Sequence, residues 1–314
     1  MASPILHIKD AYYFDVPKFL SRHHYTNLDQ VPAFLRQGHP DATVQDFNRE
    51  LAGKILIPQP FGTLKNLYEK ESGFAISKFM IIELVIAVLL AWVMIYVAGK
   101  IRNGGVPHGK LVNFVEAILL FVRDQMVRTA IGGHDHDYHE ADSFVPLLWT
   151  MFFFVLMCNL FGLLPWAGSP TASFAVTLAL AGATFVTVLV SGSKKFGPIG
   201  FWLNQVPHMD LPWYMAPIKL LIWVIEVVGL LIRHGVLAVR LLANMVAGHL
   251  VLLAIMELAF SIEGAMRPSW PITAVISVLG SVCFSVLELF VAFLQAYVFV
   301  YLSALFIGAA VHRH

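Results

Sequence analysis

From Trp213 to Ser261 the chain runs largely apolar with no proline after Pro217, and from Pro271 to Val311 it does so again. Counted from Pro217 and from Pro271, at about 1.5 Å per residue, these stretches make helices of roughly 65 and 60 Å, about twice the ~30 Å hydrocarbon thickness of a bilayer. No Gly-Pro signal divides either run. Each is therefore expected as one long, steeply tilted membrane helix, the two joined as a hairpin by the turn "EGAMRPSW". With 58% hydrophobic and 13% charged residues over 314 positions, the chain has too little polar surface to cover a water-soluble globule. It reads as an integral membrane protein of the lipid bilayer.

Three shorter runs, 79–98, 144–165 and 172–191, each have about the 20 residues a crossing needs. With 213–261 and 271–311 they predict an all-α membrane domain over 79–314 with five transmembrane helices. Glu83, near the start of the first run, is placed to reach interfacial water. Residues 111–130 are periodic but carry Glu116, Arg123, Asp124 and Arg128, which suits an amphipathic surface helix whose charges form a solvated face. The basic residues of "GKIRNGGVPHGK", with Lys194 and Lys195, mark the cytoplasmic side. Five crossings then put the N-terminus outside and the C-terminal "HRH" inside. Residues 1–78 mix charge, histidine and aromatics, with "IPQPFG" as a turn. They predict an extramembrane segment of short helices. Their start lacks the charged-then-apolar pattern of a secretory signal or the composition of a transit peptide. That favours a bacterial plasma (inner) membrane, with the mitochondrial inner membrane as the alternative.

Several function classes drop out. A net charge of +1 with no basic stripe gives no grip on nucleic acid. Cys158 and Cys283 lie far apart in apolar runs and read as small core residues. "HDHDYHEADS" invites a zinc reading through His134, His136 and His139, but His139-Glu140 is followed by Ser143 where HExxH needs histidine. A solvated loop is the expectation, with no metal and no cofactor. A secondary transporter often shows inverted repeats and broken helices, and neither is visible. A purely structural anchor would tolerate loss of charge at Arg240; it and the transporter remain as the alternative classes.

"VRLLANMVAGHLVLL", residues 239–253, carries Arg240, Asn244 and His249 inside an otherwise lipid-compatible stretch. A charge at the centre of a membrane helix costs about 2.5–3.5 kcal/mol on insertion scales. At about 100° per residue, Glu226, Arg233, Arg240 and Asn244 fall within about 40° of one another. His249 lies on the opposite side, and Ala243, Ala247 and Gly248 allow close helix approach. On the last helix Ser277, Ser281, Ser285, Glu288 and Gln295 share a stripe about 80° wide. For any one serine or glutamine, interhelical hydrogen bonding is the simpler reading. For the set, an ion pathway or proton relay is. Arginine keeps its proton and attracts carboxylates, whereas histidine and a desolvated glutamate exchange protons near neutrality. The seam offers Arg240 no exchangeable carboxylate, which points to one on a partner. Arg233 and His234 are expected at the inner interface and Glu257 at the outer.

"RLLANMVAGH" (240–249) resembles the signature of subunit a of rotary F-type ATP synthases. "NLFGLLP" (159–165), "APIKLLIWVIEVVG" (216–229) and "LQAYVFVYLSALFIG" (294–308) match that family in the same order, and the resemblance covers roughly 79–311. It implies a stator subunit beside a ring of c subunits, supplying two offset proton half-channels. Its further partners would be subunit b of the peripheral stalk and the remaining ATP synthase subunits. The essential arginine would be Arg240, the neighbouring amide Asn244, the outer-channel pair His249 and Glu288, the nearby glutamine Gln295 and the inner glutamate Glu226. The phosphate chemistry would belong to other subunits. Two departures stand out: "RLLAN" where the family often has "RLFGN", and an apolar "RHGVLAV" where many members carry serines.

Overall fold

The computed structural model describes residues 10–16, 25–38, 42–101, 109–132, 138–164, 167–203, 216–260 and 270–312. The chain divides into two compact units, one of residues 1–88, 158–173 and 246–288, the other of 89–157, 174–245 and 289–314.

In the first unit, the segment before the membrane contains the expected short helices, α1 (Ala33–Gly38) and α2 (Val44–Glu50). It also contains strands that the sequence did not announce. β1 (Tyr13–Asp15) pairs antiparallel with β2 (Lys54–Leu56), and β3 (Gly62–Asn66) with β4 (Glu69–Gly73). Three to five residues are too few to display an alternating pattern, so pairing rather than periodicity makes these segments strands. Ala11, Tyr13, Val31, Leu35, Phe47, Leu51 and Leu67 close over one another as a small apolar core. Asp46, at the third position of α2, accepts from the Thr43 backbone N–H at 3.0 Å and from its hydroxyl at 2.6 Å. These bonds fasten the helix start and hold the Asp46 carboxyl below its ordinary range.

This core is tied to the first span, α3 (Lys78–Ile101). The Lys78 N–H donates to the Ala11 carbonyl at 2.8 Å, and the Phe79 N–H to Asp10 Oδ1 at 3.4 Å. Two of the donors that any helix leaves open at its N-terminus are thereby met. Burial pushes the Asp10 carboxyl up. Glu83 is half-buried. Its Oε1 is buried and unpartnered, because the helix face that carries it turns inward with Ile82 and Ile86. Behind "NLFGLLP", Asn159 Oδ1 accepts from Thr171 at 2.9 Å and Thr171 meets Ser169 at 2.8 Å, all three buried.

In the second unit the surface helix runs as α4 (Lys110–Phe121), a π-helical turn (Val122–Val127) and α5 (Arg128–Ile131). Its charges are not simply solvated. Arg128 grips Asp142 with two bonds of 2.9 and 2.8 Å and adds Asp124 at 3.0 Å, while Arg123 also pairs with Asp124. The planar guanidinium fork suits this bidentate geometry. Arg123 first, then Arg128, hold the Asp124 carboxyl low. Asp142 belongs to α6 (His139–Gly162), which begins five residues before the apolar run at 144. The end of the expected loop is thus a helix start, whose Glu140 and Asp142 suit the positive end of the dipole. His134 and His136 lie outside the described residues, among which no group of three or more metal-ligating side chains occurs.

α7 (Phe174–Phe196) ends at Gly197, whose φ of 78° turns the chain into a short α8 (Pro198–Leu203). Phe201 packs against Gly192, where a side chain would collide with its ring. Two unbroken helices follow: α9 (Ala216–Phe260, 45 residues) and α10 (Trp270–Val311, 42 residues). The turn between them lies outside the described residues. The chain is thus an α-helical membrane protein, and among the described residues five helices, α3, α6, α7, α9 and α10, are long and apolar enough to cross. Cys158 is buried as expected but Cys283 is exposed, because it shares α10 with an outward apolar face of Val275, Leu279, Val282 and Val286.

Candidate functional site

Arg240 sits in the second unit, on α9, half-buried among Leu237, Ala238 and Leu241, which are fully buried. Across from it on α10 is Gln295, itself buried. With its carboxamide oxygen turned toward the guanidinium, Gln295 accepts from Arg240 Nε and from the Leu241 N–H, each at 3.3 Å. Arg240 Nη2 is buried and has no partner. Among the described residues no carboxylate lies within ion-pair distance of Arg240. A buried charged donor left unmet costs about 1–3 kcal/mol or more. The site therefore holds a cation with capacity to spare. Asn244 is one helical turn farther along α9 on the same face, half-buried.

Two turns before Arg240, Arg233 Nη2 donates to Glu226 Oε1 at 2.6 Å. Sequence reasoning had put these residues on one face but assigned Arg233 to the interface alone. Their seven-residue spacing, about two helical turns, was the available signal. His234 does not reach the interface either. It is 4% exposed, its ring lies 5.1 Å from Phe185 and 4.9 Å from Phe306, and Nδ1 is 2.8 Å from the Leu230 carbonyl. An aromatic ring between two phenylalanines gains packing that an interfacial position would forgo. Glu257 is exposed near the far end of α9.

The first unit holds the other pair. His249 Nδ1 on α9 is 3.3 Å from Glu288 Oε1 on α10. The distance suits an ion pair, but neither Glu288 oxygen makes an aligned hydrogen bond. Gly248 makes the approach possible, since a Cβ there would stand 2.5 Å from Glu288 Oε1. Along the same stripe of α10 the Ser277 and Ser281 hydroxyls are buried without partners, while Ser285 donates to the Ser281 carbonyl at 2.8 Å. Four unmet oxygens in one buried stripe are a place for ordered water, which buried polar groups otherwise lacking partners recruit.

Of the six residues singled out from sequence, Arg240 and Gln295 are brought together in one unit and His249 and Glu288 in the other, while Glu226 is engaged by Arg233. Chemically, the first pair can hold an anion and the second can pass a proton.

The family model described as ATP synthase A chain matches residues 79–308. An ATP synthase subunit a of Myxococcus xanthus is 37% identical over 243 residues, covering 76% of this chain and 75% of that protein. One from Anaeromyxobacter dehalogenans is 40% identical over 227 residues, 71% of this chain, though the chain spans only 55% of that relative's length. One from another Anaeromyxobacter strain is 33% identical over 311 residues, 98% of this chain and 70% of the relative.

Proposed function

The chain belongs to the ATP synthase A chain family, and from that premise we propose that it is the stationary proton-conducting subunit beside a rotating ring of c subunits. Protons from the outer side pass by way of His249 and Glu288 to a carboxylate of the ring. Once neutral, that carboxylate tolerates hydrocarbon and the ring turns. On its return it meets the field of Arg240, ionises, and its proton leaves past Glu226 and Arg233 on the inner side. Each charge moved through 100 mV contributes about 2.3 kcal/mol, and each pH unit about 1.36 kcal/mol.

In this reading Arg240 keeps the two paths apart. A guanidinium retains its proton at any physiological pH, so it attracts the ring carboxylate without relaying the proton across. Gln295 orients it through Nε, and Asn244 flanks it. The Arg233–Glu226 pair gives the exit a polar lining. ATP synthesis itself takes place on other subunits, which the peripheral stalk with its subunit b holds in register with this chain. The bacterial sources of the similar proteins favour a bacterial plasma membrane.

The observation that carries the reading is the buried, unpartnered Nη2 of Arg240 in a helix with no acid of its own beside it. The test replaces Arg240 by Gln in the assembled complex and measures proton-driven ATP synthesis in vesicles. Synthesis is expected to disappear while the complex still assembles. Unchanged synthesis would overturn the proposal, as would solute uptake by the purified chain alone, which belongs to a transporter.

A further inference from the structure

Phe61 and Phe74 are large apolar side chains left 74% and 58% exposed on the segment that precedes the first span. They are not on a loose tip. The Phe74 N–H donates to the Phe61 carbonyl at 3.2 Å, at the open end of the β3–β4 hairpin. The next rung pairs Gly62 with Gly73, and neither tolerates a side chain. A Cβ on Gly62 would meet the Phe74 carbonyl oxygen at 2.8 Å, and Gly73 has a φ of 76° with the Phe61 carbonyl against it. Below, Gln59 clamps the two chains. Its oxygen accepts from the Ile76 N–H and its amide donates to the Ile76 carbonyl, both at 2.8 Å. The two rings are therefore presented side by side from a fixed backbone.

Their distance from the start of the first span is also bounded. Phe74 is four residues before Lys78, where α3 begins, so its backbone lies within about 14 Å of the helix start even if fully extended. The start of α3 is fastened to the same folded segment through Ala11 and Asp10. Outward apolar exposure on α3 begins at Met80 and is strong at Leu84, 65% exposed. Headgroup regions add about 5–8 Å on each side of the hydrocarbon. The rest of the hairpin is polar outward, through Thr63, Lys65, Glu69, Lys70 and Glu71, all exposed. Exposed rings on a fixed backbone close to the first span, with no charged residue at positions 72–77 between the hairpin and that span, match a surface that enters the interfacial layer.

We propose that Phe61 and Phe74 insert as a pair into the lipid interface and seat the segment before α3 on the membrane surface. The occupant is phospholipid, argued from covalent continuity with a membrane span, and the rings act as a second anchor that stops the segment from pivoting about the start of α3.

The test uses the assembled complex in phospholipid nanodiscs. In a Cys283→Ala background, which removes the exposed native thiol and leaves the buried Cys158 unreactive, single cysteines replace Phe61 or Phe74 and carry a nitroxide label. Leu84→Cys is the lipid reference and Lys70→Cys the aqueous one. Accessibility to oxygen relative to a water-soluble nickel chelate is read by power-saturation EPR. Labels at 61 and 74 are expected to give a ratio severalfold above that at 70 and on the side of 84. A ratio equal to that at 70 would overturn the proposal. So would exclusion of both reagents, which would mean that a neighbouring protein covers the pair. A second measurement avoids the label. Phe61→Ser with Phe74→Ser should leave the complex assembled and make residues 57–76 exchange amide hydrogens faster in nanodiscs, an effect that must vanish in detergent-free lipid-depleted complex. Equal exchange in both settings would assign the rings a folding role instead. Neither readout depends on proton movement, so the inference can fail without the proposed function failing, and the reverse.

Discussion

Replacing Gly248 by alanine tests whether the spacing of His249 and Glu288 matters, using one added methyl group. That Cβ would stand 2.5 Å from Glu288 Oε1, 3.1 Å from Cδ and 3.4 Å from Cγ. Ordinary contact begins near the last of these values, so the carboxylate must retreat by about 0.9 Å if the helices stay where they are. Retreat lengthens the 3.3 Å separation from His249 Nδ1, because Gly248 and His249 are adjacent on α9. Overpacking of this kind costs about 1–3 kcal/mol, which a complex of this size tolerates. A misplacement of about 1 Å between reacting groups can cost on the order of 10²-fold in rate. Proton-driven ATP synthesis and ATP-driven proton pumping in inverted vesicles should therefore both fall by an order of magnitude or more in Gly248→Ala, with normal amounts of assembled complex. Glu288→Asp draws the carboxylate back by one methylene. Added to Gly248→Ala it should recover part of the loss, although by itself it should impair activity. Full activity in Gly248→Ala with assembly intact would refute the reasoning, since the relay would then be indifferent to this distance. A complex that failed to assemble and was not rescued in amount by Glu288→Asp would refute the packing argument in turn.

Ser277→Val and Ser281→Val remove hydroxyls that are buried and unpartnered, and each should slow proton entry severalfold in passive-leak and pumping assays, whereas Ser→Thr at the same positions should retain the rate. Equal rates for Val and Thr would show that these hydroxyls hold no functional water. Asp10→Asn keeps an acceptor for the Phe79 N–H while removing a charge that burial disfavours. A carboxyl whose folded pKa is raised loses stability as pH climbs from the unfolded value of about 3.9 through the folded one. Wild type and Asp10→Asn should therefore match in strongly acidic solution, and the variant should be equal or more stable at neutral pH. Protection of residues 42–77 from hydrogen exchange across pH reports this, and a variant less stable at neutral than at acid pH relative to wild type would contradict it.

The membrane part of the fold was legible because its information is one-dimensional. Five apolar runs of sufficient length leave a chain few alternatives in lipid, where every backbone group must be satisfied within its own segment, and all five appear as helices. The boundaries were less legible. α6 begins at His139 because Glu140 and Asp142 suit a helix start and Arg128 draws Asp142 in, neither of which hydropathy registers. β1 depends on a partner far along the chain, as in Tyr13 opposite Leu56, and a three-residue strand has no pattern to read.

The candidate site shows the same division between what lies along a helix and what lies across. Glu226, Arg233 and Arg240 were all legible as one face, but which arginine the acid neutralises is a question of reach. Seven residues along a helix are about 10.5 Å and fourteen about 21 Å. Two long side chains leaning toward each other span the first separation and not the second, and Arg233 accordingly takes Glu226 at 2.6 Å. The spacing alone therefore withholds the only acid on that face from Arg240, whose remaining contact is a neutral amide on another helix. That amide was placed by α10, not by α9, so no reading of one helix could supply it. A cation with its internal acid out of reach and a neutral group orienting it is what the proposed function requires of Arg240. The arrangement follows from two heptad steps and one crossing helix.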